Sequence, residues 1–215
     1  MLFTLALLIG LSSPFNSSSV AISVEAGNST SYGTGTVVAV EGNKSIVITN
    51  AHVVPDNKHP IYITYKYIDG EFYKQECTYI NGSRVIETGP TSIEIKGPDI
   101  AVLEINCRLN PVRIAKDIPS VNTRVKMYGY GGNLTNQTLK EGKIIPIDGW
   151  VGEYTRLSIQ GVNGDSGSGV LNDNGELVAV FWGGASVRLD TVKRFVKFSL
   201  KDRNNFKNFI KELDE

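Results

Sequence analysis

Residues 163–184 read NGDSGSGVLNDNGELVAVFWGG, which joins a glycine-rich turn around Ser166 to two runs of strand-forming residues. Glycines beside a serine allow a tight turn that exposes the serine Oγ and leaves room for another backbone to approach. Such a turn can also direct consecutive backbone N–H groups at one point, where they stabilise an oxyanion during acyl transfer. This stretch alone leaves open the alternative of a hairpin turn, which Gly, Asp and Ser also favour.

The chain around this stretch indicates an all-β fold. Segments rich in Val, Ile, Thr and Tyr are separated by Gly, Asn, Asp and Pro at the spacing typical of a barrel or a sandwich. A strand-poor segment at about 109–120 is the predicted linker between two β lobes, and an apolar stripe predicts a helix over about 203–213. The predicted strands are Thr36–Val40, Ser45–Thr49, Ile61–Tyr67, Ser92–Ile95, Ile100–Ile105, Val125–Tyr130, Thr155–Ile159, Gly169–Leu171 and Leu177–Trp182.

Composition argues against several kinds of function. The 22 Lys and Arg balance 22 Asp and Glu, so the chain has no excess positive charge to hold nucleic acid or an anionic membrane. Its two His and two Cys show no CxxC or HxxxH spacing, which structural zinc sites favour. We therefore expect no nucleic-acid partner, no metal and no cofactor.

His52 ends a β run, SIVITNAHVV, at residues 45–54. Because imidazole titrates near neutral pH, a histidine held at a strand end can take a proton from a serine hydroxyl and return it to a leaving amine. Asp99 opens the apolar strand in GPDIAVLEI, at residues 97–105, and a buried carboxylate beside His52 would orient the ring. Taken singly, the histidine is more often structural and the aspartate is usually a turn residue.

Together, the three motifs follow the order His, Asp, Ser on one all-β background. TNAHVV around His52, PDIAVLEI around Asp99 and NGDSGSGVLNDNGELVAVFWGG around Ser166 resemble the trypsin-like, chymotrypsin-fold serine endopeptidases. The nearest members in appearance are bacterial-type enzymes such as glutamyl endopeptidases and HtrA-like peptidases. The resemblance extends from about Gly33 to the terminal helix.

The resemblance implies a role for each matching residue. His52 corresponds to the general base, Asp99 to its orienting carboxylate and Ser166 to the nucleophile, with the N–H groups of Gly164 and Ser166 as the oxyanion hole. It also implies two antiparallel six-stranded barrels with a C-terminal α-helix. The expected first barrel covers about 31–108, the linker about 109–120, the second barrel about 121–200 and the helix about 203–213.

The resemblance further implies polypeptide substrates, and we expect the protein to be a monomer. The residues expected to bind substrate are Gln160, Phe181, Trp182 and Gly183. Phe181 stands where glutamyl-specific relatives carry a histidine before Trp-Gly-Gly, so a preference for acidic residues is not implied. We expect uncharged side chains before the scissile bond.

Two departures from the animal trypsin-like pattern concern residues around the catalytic motifs. Val53 replaces the cysteine that forms a local disulfide in the animal enzymes, and no Ile-Val-Gly-Gly activation sequence follows a basic residue. Asp165, the residue that receives the new N-terminus in those enzymes, is present. One hypothesis is therefore that cleavage near Ser19 releases Val20 to pair with Asp165.

The N-terminal region is apolar from Leu2 to Leu11, apart from Thr4 and Gly10. About ten apolar residues are too short for a membrane span, which needs roughly twenty, and small residues follow. We predict a signal peptide at 1–21, a peptidase domain at 22–215, no stable membrane span in the mature form, and a secreted or otherwise extracytoplasmic protein. A buried N-terminal segment or an uncleaved anchor is the alternative.

Cys77 and Cys107 are thirty residues apart, and in an exported protein they could form one disulfide. Two buried free thiols are the alternative. For the whole chain, the competing function is a non-catalytic binding protein on a trypsin-like fold. That route is usually marked by loss of a triad member, whereas all three are present here.

Overall fold

The structure is a computed structural model that describes residues 16–27, 29–54, 58–67, 70–89, 92–146, 154–183 and 185–214. These residues form two closed barrels of six antiparallel strands each, followed by helices. The predicted all-β fold with two six-stranded barrels and a C-terminal helix is confirmed. Within the described part of the chain, no helix is both long and apolar enough to cross a membrane.

The first barrel has the strand order β1-β2-β3-β6-β5-β4. Its central strand β3 lies between β2 and β6 and is buried on both faces, which explains its continuous apolar run. Val47 points into the barrel, whereas Ile46 and Ile48 pack towards the second barrel. The strands are β1 (Ser19–Ala26), β2 (Ser29–Glu41), β3 (Lys44–Thr49), β4 (Ile61–Lys66), β5 (Phe72–Gly89) and β6 (Ser92–Ile105).

The second barrel has the order β10-β11-β12-β9-β8-β7 and its own apolar interior. Between the barrels, residues 106–123 include no strand of the sheets. The Val112 N–H donates to the Val37 carbonyl at 2.9 Å, and the Ala115 N–H donates to the Leu177 carbonyl at 3.0 Å, so the linker contacts both barrels. The strands are β7 (Arg124–Gly129), β8 (Thr138–Ile145), β9 (Tyr154–Leu157), β10 (Gly169–Leu171), β11 (Leu177–Trp182) and β12 (Ala185–Arg188).

Two helices end the chain: α1 (Leu189–Leu200) and, after a 3-10 turn, α2 (Lys207–Glu212). Val192, Val196 and Leu200 lie on one face of α1 and are completely buried. This face completes the apolar cluster that joins the barrels, which also contains Ile48 and Val180. The helices therefore cover the junction of the barrels.

The element bounds differ from the sequence expectations at both ends. The first barrel begins at Ser19 rather than at about residue 31, and residues 19–21 of the predicted signal peptide belong to β1. Residues 1–15 of that peptide lie outside the described residues. The second barrel ends at Arg188 rather than at about 200, because α1 occupies the next twelve residues.

Candidate active site

The pairing of β3 with β6 brings His52 and Asp99 together. Thr49 at the end of β3 lies opposite Ala101, so the short helical turn Ala51–Val53 lies beside Asp99. His52 Nδ1 is 2.6 Å from Asp99 Oδ2, and the His52 backbone N–H donates to Asp99 Oδ1 at 3.0 Å. The two carboxylate oxygens thus hold the ring and the main chain of the same histidine.

Asp99 is completely buried, whereas a quarter of the His52 side chain is exposed. Asn50 donates its side-chain N–H to the Asp99 carbonyl at 2.7 Å, and the Asp99 N–H donates to Tyr154 Oη at 3.3 Å. These contacts fix the main chain from which the carboxylate projects. A neutral imidazole that donates from Nδ1 to this carboxylate presents Nε2 as a proton acceptor.

Ser166 lies in the loop between β9 and β10. Gly164 and Gly167 have φ angles of +99° and +88°, the left-handed region that glycine adopts without strain. The Gly167 N–H donates to the Phe181 carbonyl at 2.9 Å, and the Ser168 N–H donates to the Asp165 carbonyl at 3.0 Å. The loop is therefore a tight turn tied to β11, and Ser166 is partly exposed on it.

Thr34 of β2 connects this loop to the first barrel. Its N–H donates to the Ser166 carbonyl at 2.8 Å, and its Oγ1 donates to the Gly164 carbonyl at 2.8 Å and accepts from the Tyr130 N–H at 2.9 Å. A Cβ added to Gly167 would lie 3.1 Å from the Asn50 nitrogen, two residues before His52. The Ser166 loop therefore packs directly against the segment that carries His52.

The backbone donors of the loop divide into two groups. The N–H groups of Asp165, Gly167 and Ser168 donate to protein carbonyls. Among the described residues, none accepts a hydrogen bond from the N–H of Gly164 or Ser166. These two groups flank Asp165 and are available to an incoming acceptor.

The four residues expected to bind substrate have different environments. Phe181 is almost completely buried, and its ring lies so close to Gly161 that a Cβ there would collide with it. Trp182 packs against Tyr154 with ring centroids 5.6 Å apart. Gln160 and Gly183 are exposed.

Asp165 is completely buried and forms an ion pair with Lys140 of β8. Val20, the residue expected to pair with it after cleavage, lies in β1 opposite Gly35 and is buried there. The structure therefore gives the Asp165 carboxylate a different partner from the one the hypothesis assigned.

Cys77 and Cys107 are free thiols that pack against the core of the first barrel. Burial raises the pKa of the Cys77 thiol to about 12, so it is protonated at neutral pH and is a poor nucleophile. Within the described ranges, no group of three or more His, Cys, Asp or Glu residues is placed to hold a metal ion.

Three residues that shape the site did not emerge from the sequence analysis. Thr34 stands between Gly33 and Gly35, and paired glycines within a strand are a signal of close backbone approach. A Cβ on Gly33 would lie 2.9 Å from the Ser166 carbonyl oxygen. Tyr154 and Lys140 have no local signal, because their partners are distant in the sequence.

Comparison with known proteins finds relatives among bacterial proteases. The chain is 28% identical over 203 residues to a glutamyl endopeptidase of Staphylococcus aureus strain MRSA252, covering 85% of this chain and 53% of that protein. The corresponding protein of strain MW2 is 28% identical over 201 residues, with 84% and 58% covered. The chain thus spans little more than half the length of these relatives.

Solved structures share the fold. The crystal structure of Deg5 has a TM-score of 0.66 at 19% identity, covering 84% of this chain and 88% of that one. The serine endoprotease from Yersinia pestis has a TM-score of 0.66 at 20% identity, covering 86% and 64%. Residues 33–180 match the family described as trypsin-like peptidase domain, and the chain belongs to that family.

Proposed function

We propose that this protein is a serine endopeptidase that hydrolyses polypeptides through an acyl-enzyme on Ser166. The observation that carries the proposal is the 2.6 Å contact between His52 and the fully buried Asp99, beside the loop that bears Ser166. Family membership and the resemblance of all three motifs support it.

In the first half of the reaction, Ser166 Oγ attacks the carbonyl carbon of the scissile bond while His52 Nε2 accepts the hydroxyl proton. Asp99 stabilises the resulting imidazolium through its contact with Nδ1. The carbonyl oxygen becomes an oxyanion, and the available N–H groups of Gly164 and Ser166 donate to it. His52 then gives the proton to the leaving amine as the C–N bond breaks.

The second half reverses these proton transfers. Water attacks the ester carbon while His52 accepts one of its protons, and the same two N–H groups stabilise the second oxyanion. The ester C–O bond then breaks, and the proton on His52 returns to Ser166 Oγ. The peptide leaves with a new C-terminal carboxylate, and the Ser166 hydroxyl is regenerated.

For specificity, we propose uncharged and small to medium side chains before the scissile bond. Phe181, at the position that walls the primary pocket in the family, places its ring against Gly161 and brings no charge. Trp182 and Gly183 supply the strand edge for substrate backbone, and Gln160 supplies an exposed polar group. Mass-spectrometric profiling of cleavage sites in a denatured proteome tests this preference.

We also propose an extracytoplasmic location with cleavage of an N-terminal leader. The apolar segment from Leu2 to Leu11 supports it. Cleavage after Ala21 would remove three buried residues from β1, whereas cleavage before Ser19 leaves that strand whole. Sequencing the N-terminus of the mature protein from culture medium and from cells tests location and cleavage together.

The decisive experiment for catalysis is labelling by a fluorophosphonate probe, which forms a covalent bond with an activated serine. We expect labelling of the wild type and none of Ser166→Ala, with a large loss in His52→Ala. Ser168→Ala is the matched control, since this serine is two residues away and completely buried. Absence of Ser166-dependent labelling in folded protein would reject the proposal and favour a non-catalytic binding protein.

A further inference from the structure

The residue before the proposed nucleophile carries a carboxylate in an enclosed position. Asp165 is completely buried, and its Oδ2 accepts from Lys140 Nζ and, at 2.7 Å, from the Val162 N–H. Its other oxygen, Oδ1, has no hydrogen-bond partner among the described residues. The stability of this carboxylate in its buried position therefore depends strongly on Lys140.

Lys140 reaches Asp165 from a different element. It lies in β8, opposite Met127 of β7, and about one fifth of its side chain is exposed. The two residues are 25 positions apart, so the ion pair ties the Ser166 loop to the wall of the second barrel. Removing one partner of a buried pair leaves an uncompensated charge, which is costly.

The same carboxylate controls the shape of the loop. Its contact with the Val162 N–H, together with the Asp165 N–H bond to the Val162 carbonyl at 3.0 Å, closes the turn before Ser166. Without a countercharge, Asp165 would lower its free energy by turning towards water. That rotation would displace the N–H groups of Gly164 and Ser166, which flank it.

We propose that Lys140 is a positioning residue: its ammonium group holds Asp165 inward and thereby keeps the oxyanion-binding N–H groups and Ser166 in their active arrangement. The inference rests on the proposed peptidase function. The active conformation of the Ser166 loop then depends on the Lys140 side chain and not on a newly formed N-terminus.

The test compares Lys140→Met, Lys140→Arg and the control Lys143→Met in the full chain. Lys143 is exposed on the same strand and forms no ion pair within the described part of the chain. Each variant is measured for fluorophosphonate labelling rate, for kcat and KM with a peptide substrate, and for thermal unfolding. We expect Lys140→Met to lower kcat and the labelling rate by about 10- to 100-fold, because a buried charge loses its partner. Lys143→Met should behave like the wild type, and Lys140→Arg should retain most of the activity.

A fourth variant guards against loss of folding. Lys140→Met combined with Asp165→Asn removes both charges and leaves an amide oxygen to accept from Val162, so it should fold and label faster than Lys140→Met alone. A wild-type kcat in folded Lys140→Met would overturn the inference. It would also be overturned if neither the double variant nor Lys140→Arg were labelled faster than Lys140→Met. If the wild type itself shows no Ser166-dependent labelling, the proposed function fails instead.

Discussion

Replacing Thr34 by valine removes a hydroxyl with almost no change of shape. Thr34 is completely buried, and its Oγ1 donates to the Gly164 carbonyl and accepts from the Tyr130 N–H, at 2.8 and 2.9 Å. Valine leaves both of these backbone groups unsatisfied, and each buried unsatisfied group costs about 1–3 kcal/mol. We therefore expect the free energy of unfolding to fall by about 2–6 kcal/mol.

The same change should impair the active loop. Since the Gly164 carbonyl loses its tether, the adjacent N–H groups lose their fixed direction, and the fluorophosphonate labelling rate of Ser166 should fall about tenfold or more. Urea unfolding followed by tryptophan fluorescence measures the stability, and labelling is measured at urea concentrations where every variant is folded.

Two variants serve as controls for Thr34→Val. Thr34→Ser keeps the hydroxyl and should retain most of the stability and the labelling. Thr30→Val makes the same substitution at an exposed position of the same strand and should change neither by much. If Thr34→Val and Thr30→Val had equal unfolding free energies and labelling rates, the assigned role of Thr34 would be refuted.

Three further predictions concern single side chains. Asp99→Asn should lower kcat by about 10⁴-fold while the protein stays folded, because an amide favours the wrong His52 tautomer. Steady-state kinetics measures kcat and circular dichroism measures folding; a near-normal kcat would contradict the prediction. Phe181→Ala should lower the free energy of unfolding by about 3–5 kcal/mol, as measured by urea unfolding, and should admit larger side chains before the scissile bond, as measured by cleavage profiling. An unchanged cleavage profile would count against the place of Phe181 in the pocket. Cys77, with its pKa raised to about 12, should react slowly with iodoacetamide at pH 8 unless the protein is unfolded, and fast alkylation of folded protein would contradict this. Relative to Cys77→Ala, the free energy of unfolding should fall as pH rises from 9 towards 12, because only the unfolded thiol loses its proton in that range.

Local patterns in the sequence were sufficient for much of the fold. The all-β class follows from the many strand-forming residues of the chain. The strand Lys44–Thr49 (β3) could be predicted because a strand buried on both faces has a continuous run of apolar residues. The strand Phe72–Gly89 was missed because Lys74-Gln75-Glu76 and Asn81-Gly82 interrupt its strand-forming residues, so its pairing with β4 and β6 is not visible in its own pattern. The helix α1 was missed although its buried residues Leu189, Val192, Val196 and Leu200 follow helical spacing, with the charged residues between them.

The sequence by itself determined which groups could perform the chemistry. His52, Asp99 and Ser166 each stand in a short motif whose residue types suit one step of acyl transfer, and a motif is visible without knowledge of distant contacts. Only the tertiary structure decided what holds them in place. Thr34 bonds to a carbonyl 130 positions away, and Lys140 pairs with Asp165 across the second barrel, because closure of a barrel brings together residues whose sequence separation carries no local signal.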